Sequence, residues 1–461
     1  MQKTLASLFT GLSIALASFC ALAQNAQLDL NHVAEAALAH SPALRAARAE
    51  LRAVQELYPQ ALANWHPSAE AEASVTTSDI DNSNFGAGDG ATTKDITLSL
   101  NQPLYRGGRS TAQKKEAKAR IAAQIQRLNL IEQQVLSDSL VAAVDAVFEY
   151  KNLIVQSRNE DIYRELMSSM TLRRQAGELS DTDIALTQSR LLGARAEKIA
   201  AETQLDNALT TLEEKTGIAP ALWTDLSAVS ISLPATIAEV VELAKANNPL
   251  TQEARYLQVA EEYAIPRVKG ELYPTVGLFA SWNRQYDPQP GIIEDARTQQ
   301  VGVRATVPLY EGGATRSRVR VARNRALQSR FDVRDRLLDI ERQVISEWRL
   351  IRSAAARHAA HVKEVQAAES ARKNITLEMN AGEKTLTDQL QADQAWLEAH
   401  VDALAAARAE LTAQIRLAAL VGTLGEQLTS AQHRKKDIAD YQEKIRFRVL
   451  TTSLPDGIAY E

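Results

Sequence analysis

The chain has 461 residues and carries 52 Lys and Arg against 57 Asp and Glu, a net charge of −5 that argues against nucleic-acid binding. Aromatic residues are only 5%, and Ala, Leu, Gln, Glu and Arg dominate, which suits long helices better than several compact cores. The one cysteine, Cys20, falls near the start of the chain.

Residues 1–23 predict a secretory signal. Lys3 supplies the positive charge, Leu5 to Leu16 form a short apolar stretch, and Ala21-Leu22-Ala23 is an A-x-A cleavage site, so the mature chain begins at Gln24. The stretch is too short for a transmembrane anchor. Phe19 ahead of Cys20 argues against a lipoprotein cysteine, so the mature protein has no disulfide and no thiolate metal site. No later apolar run is long enough to span a bilayer as a helix, but membrane strands leave a much weaker trace.

The mature chain reads as a doubled unit, 24–217 and 235–422, with a connector at 218–234 and a C-terminal segment at 423–461. Ser41-Pro42, Pro59 and Pro67 recur as Asn248-Pro249, Pro266 and Pro274, shifted by 207. Pro103-Leu-Tyr-Arg-Gly-Gly108 recurs as Pro308-Leu-Tyr-Glu-Gly-Gly313, shifted by 205, as do Ala176-Gly177-Glu178 (Ala381-Gly382-Glu383) and Gly217 (Gly422). The two-residue difference falls between Pro67 and Pro103, as expected of an exposed loop.

Strands are expected first in each copy, at about 67–78 and 94–103, then 274–286 and 298–308. Ala69, Ala71, Ala73 and Val75 alternate with Ser68, Glu70, Glu72 and Ser74; Ile96, Leu98 and Leu100 alternate with Thr97, Ser99 and Asn101. Val276, Leu278, Ala280 and Trp282, then Val301, Val303 and Ala305, keep the same parity. Period-two alternation gives one apolar and one polar face. Pro103 and Pro308 are expected to end the ladders, and Gly107, Gly108, Gly312 and Gly313 to turn the chain sharply into a helix.

A very long helix follows each hairpin. Neither 109–176 nor 314–381 contains Gly or Pro, and 68 residues at about 1.5 Å each reach roughly 100 Å. An Ala-Gly-Glu turn closes each, and a shorter helix returns, from Ser180 to Thr216 and from Lys384 to Val421. Such lengths imply coiled-coil-like packing through positions such as Leu136, Leu140, Val144, Val147 and Leu153.

Four strands cannot close a membrane barrel, for which about eight is the bacterial minimum, and an open edge is not tolerated in lipid. Strands with a lipid-compatible face therefore demand oligomerisation, and three copies would supply twelve. A small soluble β-domain packed on the helices is the alternative.

These residues resemble TolC-like outer-membrane factors. The resemblance rests on the two P-L-Y-x-G-G junctions, the turns at Ala176–Ser180 and Ala381–Thr385, and the closing Ala418-Ala419-Leu420-Val421-Gly422-Thr423-Leu424, and it covers about 28–424. It implies a mostly α fold with a membrane β-hairpin pair. The homotrimer would share a twelve-stranded β-barrel in outer-membrane lipid and a twelve-helix α-barrel in the periplasm. It implies a passive export duct, not an enzyme, with no cofactor. The implied partners are a periplasmic adaptor (membrane fusion protein) and an inner-membrane ABC or other energised transporter, and the cargo is protein or small molecule. The tips Ala176, Gly177, Glu178, Ala381, Gly382 and Glu383 would dock the adaptor. By position, Asp183, Asp388 and Lys384 match the family's charged entrance residues, and Gln391 stands where a second ring acid is usual. Asp183 and Lys384 would pair across hairpins to hold the entrance shut.

No enzyme motif of the P-loop, G-x-S-x-G, H-E-x-x-H or dinucleotide kind is present. His358, His361 and Glu364 lie on one stretch of helix, but two histidines without an identified third ligand give no metal site. Trp282 and Tyr286 fit a membrane-interface belt; Trp348 and Trp396 fit packing between helices. The competing readings are a periplasmic adaptor, which carries one hairpin per chain and flanking lipoyl-like domains, and a structural coiled coil.

Overall fold

The computed structural model describes residues 27–78, 81–82, 86–87, 91–176, 180–226, 234–289, 293–428 and 441. The expected signal peptide, the tip residues Gly177 and Glu178, and most of the C-terminal segment lie outside the described residues. In chain order the elements are β1 (Gln27–Leu28), α1 (Leu30–His40), α2 (Pro42–Gln55), α3 (Leu57–Ala63), β2 (Ser68–Ser78), β3 (Asp81–Asn82), β4 (Gly86–Ala87), β5 (Ala91–Arg106), α4 (Arg109–Gln175) and α5 (Asp181–Thr216). There follow β6 (Asp225–Leu226), α6 (Ile237–Asn247), α7 (Pro249–Lys269), a 3₁₀ turn (Gly270–Leu272), β7 (Thr275–Gln289), β8 (Ile293–Thr306), α8 (Ala314–Asn380), α9 (Leu386–Val421) and α10 (Leu424–Leu428).

The chain divides into two compact units that cut across both halves of the sequence. One comprises Met1–Ala47, Asn129–Pro249 and Leu338–Gln432; the other comprises Arg48–Leu128, Leu250–Leu337 and His433–Glu461.

The first unit is helical. Leu136, Leu140, Val144 and Val147 of α4 recur every three or four residues, and all are buried against Val33 and Ala34 of α1, Leu212 of α5 and Ile415 and Ala418 of α9. A second cluster joins Val240, Val241 and Ala244 of α6 to Ile340 and Val344 of α8 and Leu417 and Val421 of α9, with Trp348 packed on it. Two-residue strands β1 and β6 pair in parallel and tie the start of the described chain to the connector. Helices α1 and α2, like α6 and α7, break at a residue followed by proline, because proline disfavours helical backbone in the residue before it. Here Ser41 and Asn248 donate their amides to Ala37 and Ala244.

The second unit is built on one antiparallel sheet of order β2-β5-β7-β8. Its register places Ala69, Leu100, Ala280 and Val301 in one row, and Ala71, Leu98 and Trp282 in the next. Side chains directly opposite share a face. The apolar face is therefore continuous across four strands, and it is open: Val301 is 85% exposed and Val303 64%. The other face carries Glu70, Glu72, Thr97, Ser99, Ser281, Asn283, Thr298 and Gln300. On that face Asp95 accepts hydrogen bonds from Asn283, Gln285 and Thr97.

The ladders depart from expectation at both ends. Strands β5 and β8 begin earlier than the alternation indicated, because Thr-rich 91–95 and the polar 293–297 still pair. Pro103 does not end its ladder. The register shifts between Pro103 and Tyr105, and β5 runs on to Arg106; a bulge accommodates a residue that has no N–H to donate. Pro308, by contrast, lies beyond the end of β8 at Thr306.

Candidate functional site

The two strand-to-helix junctions share a backbone and differ in surroundings. Gly107 and Gly108 have φ of 61° and 76°, and Gly312 and Gly313 have φ of 59° and 83°. Left-handed backbone of this kind lets the chain reverse within two residues, and side chains disfavour it. At the first junction there is a second reason for glycine. A Cβ on Gly107 would meet the Gly270 carbonyl oxygen at 2.2 Å, and one on Gly270 would meet the Gly107 carbonyl oxygen at 2.7 Å. Among the described residues a Cβ on Gly312 or Gly313 would meet nothing within 4 Å. Arg106 adds a hydrogen bond to Asn64 at the first junction only.

The returning helices begin in the same way. Ser180 and Asp183 form a capping box on α5: the Asp183 amide donates to the Ser180 hydroxyl oxygen (3.3 Å), and the Ser180 amide donates to the Asp183 carboxylate (3.1 Å). Thr385 and Asp388 repeat it on α9, at 3.2 and 2.9 Å. Each carboxylate so placed satisfies an orphan amide and meets the positive end of its helix. The hydrogen bonds from Thr385, with Lys384 nearby, hold the Asp388 carboxyl below the usual carboxylate range.

The second tip is a complete Schellman turn. Glu383 donates to Glu378 (2.9 Å), Gly382 donates to Met379 (3.0 Å), and Gly382 has φ of 81°. Ala381 closes the last helical turn on Leu377. At the first tip Ala176 closes on Leu172, and Arg174 of α4 reaches Asp181 of α5 at 2.6 Å. Lys384 and Gln391 are exposed. Among the described residues no ion pair joins Lys384 to Asp183, since Asp183 serves its own helix start.

Beyond the caps is a polar cluster that the sequence reading did not single out. Asp393 of α9 has 0% exposure. Its Oδ1 accepts from Arg372 Nε of α8 at 2.7 Å and from Gln389 Nε2 at 3.0 Å. Thr376 of α8 donates to Gln389 Oε1 at 2.9 Å. The arms of the second hairpin are thus joined by a hydrogen-bonded ion pair whose carboxylate is buried and whose guanidinium is half-buried, and the Arg372 guanidinium also lies over the Trp396 ring. Tyr163 of α4, Ala194 of α5 and Leu390 of α9 pack beside it, so the first hairpin meets the second here. Burial, and then the charge of Asp393, push the Tyr163 hydroxyl above its ordinary range. Arg190 of α5 donates to Gln394 of α9 at 2.9 Å. Within the first hairpin Glu160 of α4 receives Lys198 of α5 at 3.1 Å and Arg164 at 2.6 Å, and the Lys198 hydrogen bond leads in holding its carboxyl low.

The histidines do not converge. His358 pairs with Glu410 at 2.9 Å and His361 with Glu364 at 2.8 Å. Among the described residues no group of three His, Cys, Asp or Glu side chains is placed to hold a metal ion, and no helix is long and apolar enough to cross a membrane.

Known proteins match this chain in sequence and in fold. A family model described as "Outer membrane efflux protein" matches residues 33–217 and 240–423. The outer membrane efflux protein BepC of Brucella suis is 28% identical over 381 residues, covering 80% of this chain and 81% of BepC. The alkaline protease secretion protein AprF of Pseudomonas aeruginosa is 27% identical, covering 72% of this chain and 70% of AprF. Among solved structures, the CmeC outer membrane channel of Campylobacter jejuni superposes with a TM-score of 0.73 at 15% identity, covering 89% of each chain.

Proposed function

From the premise that this chain belongs to the outer membrane efflux protein family, we propose that three copies close into one duct that crosses the outer membrane and continues through the periplasm. The family and the fold are those of channel and transport proteins. The observation that carries the assembly is the sheet. Its four strands leave β2 and β8 with one partner each among the described residues, and its apolar face is open. Lipid accepts such a face only if the edges are satisfied, and four strands are too few to close on themselves. Three copies make a shared barrel of twelve strands. Six helical hairpins then line the passage, and the recurrence of the prolines, junctions and tips gives both hairpins of a chain equivalent places in its wall.

The tips, with the left-handed Gly382, dock a periplasmic adaptor, and an energised inner-membrane transporter delivers the cargo. The relatives are described as efflux and protease-secretion proteins, so cargo of this duct is a small molecule or a secreted protein. Within one chain Asp183 caps its own helix and Lys384 is exposed, so the pairing that holds the entrance shut runs between neighbouring hairpins. Three Asp388 carboxylates around the axis repel one another and attract cations. The buried Arg372–Asp393 pair keeps each second hairpin closed on itself while the hairpins move.

Planar-bilayer recording tests this. The purified protein is expected to be a heat-resistant trimer with cation-preferring conductance. Lys384→Glu raises resting conductance, and adding Asp183→Lys restores much of the closed state. A protein that stays monomeric and inserts no channels would return the reading to an adaptor or a structural coiled coil.

A further inference from the structure

Where α3 gives way to β2, two lysines and two aromatic rings share one place, with Trp65 and Lys118 exposed and Tyr58 and Lys114 half-buried. Lys114 Nζ lies 5.8 Å from the centre of the Tyr58 ring and 5.8 Å from that of Trp65, and Lys118 Nζ lies 5.6 Å from Tyr58. Trp65 is 39% exposed. Among the described residues neither lysine has a carboxylate within 4.0 Å, although carboxylates elsewhere in the same helical layer are paired, as Glu116 is with Arg120 and Arg267. The place is also fixed relative to the sheet. Gln102, whose register partner is Leu278 on the apolar face, donates its side-chain amide to the Trp65 carbonyl at 2.9 Å. The cluster therefore borders the open apolar face at the end from which the helices leave. Exposed Leu104 and Tyr105 continue that border.

We propose that Trp65, Tyr58, Lys114 and Lys118 form a binding place for the headgroup of an anionic phospholipid in the leaflet on the helix side of the barrel. The inference rests on the membrane reading of the sheet and adds a lipid class and the residues that choose it. An indole at the rim of an apolar band sits at headgroup depth, with its ring in the acyl boundary and its N–H toward water. A lysine held over such rings keeps its charge at that depth, where the acidic phosphodiester lies. The apolar face accounts for contact with lipid of any kind. Only the unpaired cations favour a negative headgroup over a zwitterionic one. The second half of the chain lacks the rings and one of the two cations: the positions corresponding to Tyr58, Trp65 and Lys114 are Ile265, Leu272 and Val319, and only Lys118 has a basic counterpart, Arg323. The trimer would then carry one such place per chain, not two.

The test uses the full-length trimer in phosphatidylcholine vesicles containing brominated lipid, a quencher of indole fluorescence. The difference in quenching between the wild-type protein and Trp65→Phe isolates the Trp65 signal. Brominated phosphatidylglycerol is expected to quench Trp65 at severalfold lower mole fraction than brominated phosphatidylcholine. Lys114→Gln and Lys118→Gln should each reduce that preference, by up to about fivefold, and Lys114→Arg should keep it. Added inorganic phosphate should leave the preference intact; its loss would mean a site for free anions and would overturn the lipid assignment. Equal quenching by the two lipids, or a preference that survives the double glutamine variant, would also overturn it. Quenching by neither lipid would instead refute the membrane placement of the sheet, so the two failures are told apart.

Discussion

The helical core and the sheet use the same kinds of residue in opposite ways. Val144 on α4 is 1% exposed, and Leu136 and Leu140 are buried with it, whereas Val301 and Val303 on β8 stand open. Water alone would drive both sets inward, at about 25 cal/mol for each Å² of apolar surface removed from it. A strand that presents valine and leucine outward while Thr, Ser, Asn and Gln line its other face is matched to a second solvent. Polarity inside the molecule is inverted too: the helical unit buries Asp393, and the sheet exposes leucine. Burial is thus the wrong measure of purpose here, and the partner each face requires is the right one.

The contrast can be broken most severely at the buried pair. Arg372→Met leaves Asp393 without its counter-charge, and the expected loss is about 3–5 kcal/mol, read as faster hydrogen exchange across α9. Arg372→Met with Asp393→Leu should recover most of it, which a purely steric role for Arg372 would not allow. In the helical core, Leu140→Ala should cost about 2–5 kcal/mol in urea unfolding of the solubilised protein, whereas Leu100→Ala, on the open face, should leave that midpoint nearly unchanged. An equal effect at both positions would mean that something other than lipid covers the sheet.

A third pair compares the two faces of the sheet directly. Leu98→Arg, toward the middle of the apolar face, should impair membrane assembly by about 2–4 kcal/mol, and Val303→Arg, in the rim row of Gln102 and Leu278, by about 0–1 kcal/mol. Gln300→Arg, on the opposite parity, should assemble normally on a trimer gel. The smallest effects belong to the helix starts, where Ser180→Ala or Thr385→Ala should cost about 1 kcal/mol. The second variant also moves a titration. The folded Asp388 titrates below its unfolded value, so its contribution is full above that unfolded value and is lost as pH falls through the lowered folded one. In Thr385→Ala the residue 385 amide still donates to Asp388 and only the hydroxyl bond is lost, so an NMR titration should find Asp388 moved up toward the ordinary carboxylate range but still below it, with that loss made smaller.

Long stretches free of Gly and Pro marked α4 and α8, and alternation marked the sheet with its correct faces. Both signals repeat along many residues, so local exceptions do not erase them. The helix starts were legible only in part: Ser180 stands at the first as expected, but the second cap is Thr385 rather than Lys384, and the sequence pointed to Asp183 and Asp388 as entrance charges, not as members of capping boxes. The cluster at Asp393 was not legible at all, because Arg372 and Asp393 meet only after the chain has turned at Gly382. A charged residue inside a helical period reads as a solvated face until its partner is known. Pro103 misled for a related reason. Proline forbids one hydrogen bond, and a bulge removes the need for it, but nothing in the residue itself announces a bulge. The lysine–aromatic cluster was missed because Trp65 and Lys114 stand on opposite sides of a whole hairpin.

The contact between Gly107 and Gly270 has a consequence for the timing of folding. The first turn into a long helix is packed against a residue that lies far downstream, beyond the whole of the first helical hairpin and the connector. A chain delivered N-terminus first presents Gly107 long before Gly270 arrives, so the first long helix has to wait for the 3₁₀ turn after α7 before its direction is locked. The second turn, at Gly312 and Gly313, meets no such partner among the described residues. The half of the molecule that is delivered first is therefore aimed only once the second half has begun to arrive.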